Sequence, residues 1–251
     1  RPVKMTMTRT EVLEATGPTS GSYVKVKIGV TRPGRITAAQ AYVVFESGAF
    51  PGAPIPGASA AIFAPYNIEN VLVDAYGVLD NKPSTTAYRA PGAPIVAFAV
   101  ETIVDEMADL LKIDPMDFRM LNAAQKGTRR SDGVINGSIG AIETMQAVKT
   151  HPHYSAPLEG SHQGRGVSMG FCRNNSGPAS LVANVLSNGT VSLVTGSTDL
   201  AGIRTALSQQ LAEVLNIPVE DIIPNVVDTD SVGYTSGSSG SSAVFKSGWA
   251  A

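Results

Sequence analysis

Four groups of residues in this 251-residue chain have the types and spacing to do chemistry. His151 and His153 form a His-x-His pair, with His162 nine residues further on. Three imidazoles so placed could hold a zinc ion for hydrolysis. Pro152 between the pair favours a solvated loop instead, and no carboxylate follows to orient the rings. Cys172 is the sole cysteine and sits beside Phe171. One cysteine excludes a disulfide framework, a Cys-based zinc site and a protein-held iron–sulfur cluster, so Cys172 reads as a small core residue. The third group is the loop 86–94 (TAYRAPGAP), which leads from Tyr88-Arg89 through Pro-Gly into a helical pattern. Arginine is always charged and donates five hydrogen bonds in a fixed fork. Ahead of a helix N-terminus it joins a dipole that already favours anions. The loop suits a phosphate, a carboxylate or an oxo group, against the plainer reading of a surface arginine. The fourth group is a pair of small-residue loops, 196–205 (GSTDLAGIRT) and 235–242 (TSGSSGSS), each just before a helix. Small residues let backbone N–H groups approach an anion closely, and hydroxyls add donors. Two such loops suit a ligand with several phosphates or oxygens; the competing reading of TSGSSGSS is a flexible linker. A G-x-S-x-G elbow, a Walker loop and an H-E-x-x-H helix are absent.

Composition narrows the classes further. Only 16% of residues are charged, against roughly 25% in an average soluble domain. Gly contributes 25 residues and Pro 16. So thin a charge coat points to surface buried against something else. The net charge of −2 gives no electrostatic footprint for nucleic acid or an anionic membrane. The basic run 126–130 (KGTRR) reads as a solvated loop. A hydrophobic fraction of 43% supports a real core. The longest apolar stretch, 93–100, is far short of the roughly 20 residues that span a bilayer. With no secretory leader read, a cytoplasmic protein is expected. Neither end carries a polar tail, and the chain reads as a piece of a longer polypeptide.

The elements that must position these groups follow from patterning. Residues 3–8 alternate and read as a strand, as do Ser22–Val30 and 35–46, separated by Pro33-Gly34. Together they predict an antiparallel hairpin or meander. Residues 48–57 form a loop, 62–70 a short helix and 71–79 a strand. The longest helix is predicted over 94–111, with Val96, Val100, Ile103, Met107, Leu110 and Leu111 on its apolar stripe and Glu101 away from it. Asp114-Pro115 opens a second helix that buries Phe118 and Leu121. A helix over 141–149 precedes a Pro/Gly/His-rich boundary, which divides the chain into domains 1–150 and 151–251. Strands are predicted at 166–172, 180–186 and 190–195, with Asn188-Gly189 as a hairpin turn. A helix over 205–215 turns Leu207, Leu211, Val214 and Leu215 inward. A strand within 218–227 and a helix from about Ala243 complete the pattern. Strands followed by helices, twice, without strict βαβ alternation, give an α+β class of two mixed α/β-layer subdomains.

The loops also carry a resemblance. TAYRAPGAP, followed by FAVETIVDEMADLLKIDPMDFRMLN, is similar to the large, molybdenum-cofactor-binding subunit of the xanthine dehydrogenase/aldehyde oxidoreductase family. That family's pattern is A-[FY]-R-x-x-G-x-P, a helix with D-E-x-A, then D-P-x-x-[FL]-R-x-x-N. The matching residues are Ala87, Tyr88, Arg89, Gly92 and Pro94; Asp105, Glu106 and Ala108; and Asp114, Pro115, Phe118, Arg119 and Asn122. RPVKMTMTRTE at the start, TGSTDLAGIRTALSQQLAEVLNIPVEDI and SGSSGSSAVFKSG resemble the family in the same order.

The resemblance implies hydroxylation of an aldehyde or an aromatic N-heterocyclic carbon, with water as the oxygen source. The metal would be held by the sulfurs of a molybdopterin, in its cytosine dinucleotide form. 2Fe-2S clusters and FAD would sit on partner subunits or modules, beside the rest of the large subunit. Arg89 and Tyr88 would lie beside metal and substrate. Ala90, Gly202, Thr205, Ser239, Gly240, Ser241 and Ser242 would contact the cofactor. Ala201-Gly202 stands where the family often has Gly-Gln-Gly, so a side-chain contact is missing there. Carbon monoxide dehydrogenases of the family carry a Cys close to the loop Arg, and neither neighbour of Arg89 is one. The family's catalytic Glu falls beyond residue 251 and its Gly-Phe-Gly-Gly loop before residue 1. The 251 residues alone are thus expected neither to oxidise substrate nor to hold cofactor well. A non-catalytic assembly relative of the same fold, and a zinc hydrolase using His151, His153 and His162, are the alternatives.

Overall fold

The computed structural model describes residues 3–172, 175–200 and 202–251. Ala201 lies outside the described residues. The chain divides into two compact units, residues 1–172 and 173–251. Unit 1 holds α1 (Arg9–Ala15), β1 (Ser22–Val30), β2 (Ile36–Gly48), α2 (Ile55–Ala61), β3 (Asn70–Leu79), α3 (Ala93–Leu111), α4 (Pro115–Asn122), α5 (Ala141–Thr150) and α6 (Pro152–Ser155). Unit 2 holds β4 (Leu181–Val185), β5 (Val191–Thr195), α7 (Ile203–Leu215), β6 (Ile222–Val226) and α8 (Ala243–Ala250).

The two units repeat one topology. In unit 1, β1 pairs antiparallel with β2, which pairs parallel with β3 across a crossover containing α2. In unit 2, β4 pairs antiparallel with β5, which pairs parallel with β6 across a crossover containing α7. Each sheet is three strands in sequence order, and a helix follows the third strand of each. The antiparallel hairpin expected at the start, rather than a longer meander, is the arrangement observed for β1 and β2, and the parallel pairing of β3 requires the crossover. Residues 3–8 form no strand. Thr8 instead caps α1, its hydroxyl accepting from Glu11 N while the Glu11 carboxylate accepts from Thr8 N, a capping box. The helix expected at 62–70 forms earlier, as α2, with Pro56 in its first turn. Residues 166–172 are irregular rather than a strand.

Unit 1's core lies between α3 and the sheet. Ile36, Ala39, Ala41, Val43 and Phe45 of β2 pack with Val96, Val100, Val104 and Ala108 of α3. Fully burying a side chain such as Phe45 contributes about 1.5–3 kcal/mol. The buried positions of α3 recur every fourth residue, so the helix is rotated from the expected stripe: Leu110 is 70% exposed and Glu101 is buried. The rotation has an electrostatic cause. Arg119 of α4 is completely buried, and its Nε donates to Glu101 Oε2 at 2.9 Å. Its Nη1 lies 2.7 Å from Asp105 and donates to Pro115 O at 3.1 Å. Glu101 also accepts from the Tyr66 hydroxyl at 2.5 Å and from Met169 N at 2.7 Å. A buried carboxylate needs such partners, and α3 turns to supply them.

The same short helix clips the hairpin. Asn122 Nδ2 donates to Gly34 O and Phe118 O, both at 2.9 Å, and its Oδ1 accepts from Ile36 N at 2.8 Å. Gly34 has φ +95°, and a Cβ there would lie 2.7 Å from Ile113, so the turn requires glycine. Asp114 caps α4 through Met116 N and Asp117 N. Leu121, expected inside, is 44% exposed; Phe118 is buried against α3 and the sheet, and Met116 is buried in a separate cluster with Ala123 and Met145. In unit 2, Ile203, Leu207, Leu211 and Ala212 of α7 pack on Val191, Leu193 and Ile222. Val214 and Leu215, expected inward, are exposed.

Removing the Arg119 charge strands Glu101 in the interior. Arg119→Met is expected to cost roughly 3–5 kcal/mol, read from urea denaturation. A cost under about 1 kcal/mol, the range of an exposed pair, would contradict the central place given to it. Burial first, and then the Glu101 carboxylate, hold the Tyr66 hydroxyl well above its usual range. Its stabilising contribution is full below about pH 10, the ordinary tyrosine pKa, and is lost as pH rises through the folded value. Alkaline unfolding curves should therefore show a step in the native protein that Tyr66→Phe lacks.

Candidate functional site

Parallel strands end on the same side of their sheet, and open α/β sheets take ligands outside those carboxyl ends. In unit 1 the loops leaving β2 and β3 run together there. Ala49 N donates to Lys82 O at 3.0 Å and Thr85 N to Ser47 O at 3.1 Å. Gly92, the N-cap of α3, lies against the start of α2: a Cβ on it would meet Ala58 Cβ and Pro54 O at 2.9 Å. Tyr88, Arg89 and Ala90 occupy the turn just before this junction. Arg89 is exposed. Tyr88 is partly exposed, and its hydroxyl accepts from Gly92 N at 3.2 Å. Ala90 takes a left-handed backbone, φ 55°. No side chain caps α3.

Unit 2 repeats the arrangement. The loop leaving β5 starts α7 at Gly202, and the loop leaving β6 starts α8 at Ser242. The loops touch: a Cβ on Gly196 would lie 2.9 Å from Val232 and 3.8 Å from Thr235 Oγ1. Gly202 has φ +81° and faces open space, with Thr205 exposed one turn along. Ser239, Gly240 and Ser241 are exposed, while Ser242 is buried, its hydroxyl donating to Ser239 O at 2.7 Å. Gly240 and Ser241 are consecutive left-handed residues, φ 59° and 58°. Four described non-glycine residues have positive φ. Lys112 and Asn216 are helix C-caps, a routine use. The other two, Ala90 and Ser241, occupy equivalent loops of the two units. Strain of this kind clusters where ligands are held.

Three residues of this region escaped the sequence reading. Ser197 is buried, and its hydroxyl has no partner among the described residues. Asp199 sits at the start of α7, its Oδ1 accepting from Arg204 N at 3.2 Å and its Oδ2 from Arg204 Nε at 2.6 Å. Lys246 is buried beneath the loop 236–242. All three lie inside or one turn from the GST and SGSSGSS stretches, and proximity to those stretches was the only available signal. The Arg204 N–H, foremost, and then the Arg204 side chain hold the Asp199 carboxyl below its usual range. An anion approaching α7 thus meets a carboxylate, whereas α8 has no side-chain cap. Asp199's contribution is present above about pH 4, the ordinary Asp range, and is lost as pH falls through the folded value. Asp199→Ala should speed amide exchange in the first turn of α7 at pH 7, with the gap from native closing at lower pH. An undiminished gap at pH 2 would contradict the cap.

The remaining candidates are not gathered into a site. His151 Nδ1 accepts from His153 N at 3.2 Å and caps α6. Among the described residues no group of three His, Cys, Asp or Glu is placed to hold a metal. Cys172 is exposed rather than a core residue. Arg130 of the basic run is not solvated: it pairs with Asp132 and lies 4.8 Å from the Phe171 ring centre. No described helix is long and apolar enough to cross a membrane.

Two consecutive models of the molybdopterin cofactor-binding domain match the chain, over residues 1–123 and 143–251. The chain belongs to this family, that of the molybdenum-binding subunits of the xanthine dehydrogenase/aldehyde oxidoreductase group. It is 33% identical over 153 residues to the nicotinate dehydrogenase large molybdopterin subunit of Eubacterium barkeri, covering 59% of this chain and 36% of that one. It is 29% identical over 254 residues to the putative xanthine dehydrogenase molybdenum-binding subunit XdhA of Escherichia coli K12, covering 94% of this chain and 34% of that one. The chain thus spans about a third of these relatives. Its fold matches the aldehyde oxidoreductase of Desulfovibrio gigas with a TM-score of 0.80 at 24% identity, over 95% of this chain and 28% of that one. The α+β class of two mixed subdomains is the class observed.

Proposed function

We propose that the chain is the cofactor-holding part of a molybdenum hydroxylase that acts on an aldehyde or an aromatic N-heterocyclic carbon, with water as the oxygen source. The observation that carries this reading is the pair of strained residues Ala90 and Ser241, each on a loop from a parallel strand into a helix without a side-chain cap. Relatives named for nicotinate, xanthine and aldehydes support the substrate range. The bound molybdenum–pterin group would supply a two-electron acceptor. The donor set fits such an oxygen-rich anion: exposed serine hydroxyls and backbone N–H groups at a helix start, and an unpartnered Ser197 hydroxyl in the loop leaving β5.

In this reading Arg89 orients substrate from the exposed turn, and Tyr88 fixes that turn through Gly92. Ala90 shapes the backbone toward the cofactor. Ser239, Gly240, Ser241 and Ser242 hold the phosphates of a cytosine dinucleotide. Gly202 and Thr205 face the pterin, because Asp199 makes the α7 start a poor phosphate site. Iron–sulfur and FAD subunits take the electrons, in the cytoplasm. Asp199 also supports a second reading, a non-catalytic relative of the same fold.

The test is made on the intact enzyme that contains this chain. Stoichiometric molybdenum and 18O transferred from labelled water into product are expected. Arg89→Met should lower kcat/KM by about 100-fold, the scale of one lost electrostatic contact in an active site, at unchanged molybdenum content. Absence of molybdenum from the purified protein would favour the second reading.

A further inference from the structure

We propose that Lys246 is a positioning residue that sets the loop 236–242 and gives it the positive charge to take a diphosphate. The inference rests on the reading of that loop as the holder of the cofactor's phosphates. Lys246 is 4% exposed. Its Nζ donates to Ser236 O at 2.6 Å, to Ser236 Oγ at 2.8 Å and to Gly237 O at 2.8 Å. An ammonium has three donors, so its complement is full, and every partner is neutral. No carboxylate pairs with it among the described residues.

The loop is fixed on both sides. Lys246 lies one turn into α8, where its N–H donates to Ser242 O at 2.8 Å. Its Nζ reaches back to the loop's first residues, while Ser242 closes onto Ser239. Ser236 N also donates to Pro178 O at 3.0 Å, and a Cβ on Gly177 would lie 2.8 Å from Ser236 Oγ, so the far side of Ser236 is filled. Residues 238–241 remain exposed between these anchors.

A neutral donor could anchor the loop without the cost of burying a charge. A buried ammonium with no counter-charge becomes favourable when an anion sits over the loop. The helix dipole of α8 adds to it, because no side chain caps that end. The chemistry favoured is a dianionic or more highly charged phosphate group rather than a single carboxylate.

The experiment uses the intact enzyme that contains this chain, freed of its cofactor, in native, Lys246→Met and Lys246→Gln forms, with inorganic pyrophosphate as the probe. Calorimetry gives the affinity, and amide exchange over 237–242 gives the loop's order. In Lys246→Met we expect exchange over 237–242 to rise by at least about tenfold, the scale of one lost charge-assisted hydrogen bond, with α7 unchanged. Pyrophosphate should bind about tenfold more weakly. Lys246→Gln keeps a donor without the charge, so it should hold the loop but still bind weakly, and it decides the matter if the Met form does not fold. Unchanged exchange in Lys246→Met, or native affinity in either variant, overturns the role of Lys246. Failure of the native enzyme to bind pyrophosphate, with the loop still loosened by Lys246→Met, refutes instead the reading of the loop as a phosphate holder.

Discussion

The buried pair of Glu101 and Arg119 is the constraint on which unit 1 is organised. A carboxylate and a guanidinium leave water together only when partners offset most of the cost, and here Arg119 Nη2 alone of the pair's polar atoms is left without one among the described residues. Glu101 finds Tyr66, Arg119 and the Met169 N–H, while Arg119 adds Asp105 and the Pro115 carbonyl. These residues come from α3, α4, the segment after α2 and the irregular segment after α6. Satisfying them fixes the rotation of α3, and with it the position of Gly92 against Pro54 and Ala58. Arg89 lies three residues before that contact. Asp114, Phe118, Arg119 and Asn122, four residues of the family-like D-P-x-x-[FL]-R-x-x-N pattern, all go into this frame.

The second organising fact is topological. Each unit is a hairpin extended by one parallel strand, with a helix in the crossover and another after it. Parallel pairing brings two helix starts to one end of the sheet without any specific contact to arrange it. In unit 1 they meet through Gly92, and in unit 2 their loops meet through Gly196 and Val232. The same backbone device, a non-glycine residue at positive φ, appears in the loop after each third strand. Repeated topology accounts for the likeness of the two loops better than any likeness of sequence, since TAYRAPG and SGSSGSS share little beyond small residues.

Much of this was legible in the residues. The alternation of Ser22–Val30 and the Asn188-Gly189 turn reported local geometry, which local sequence encodes well. The small-residue loops before α7 and α8 were legible for the same reason. The rest depended on partners distant in sequence. The burial of Glu101 could not be read from α3, because its partner is 18 residues away on another helix. The pairing of β2 with β3 is parallel because of a crossover, not because of anything in either strand. Residues 3–8 alternate as a strand does, yet the Thr8–Glu11 capping box starts a helix where the alternation ends. Nothing in the sequence around Lys246 points to its partners; only the fold shows that its ammonium is spent on the loop carbonyls.

In the function proposed above, buried polar groups in each unit set that unit's own exposed helix start, and the α8 loop holds phosphate. The decisive measurement is an amide-resolved NMR titration of the cofactor-free intact enzyme with inorganic pyrophosphate. Saturable shifts are expected at residues 238–243, smaller ones near Ser197 and Gly202, and none at residues 151–162. Shifts confined to the arginines of 126–130, or no saturable shift in residues 238–243, would contradict it.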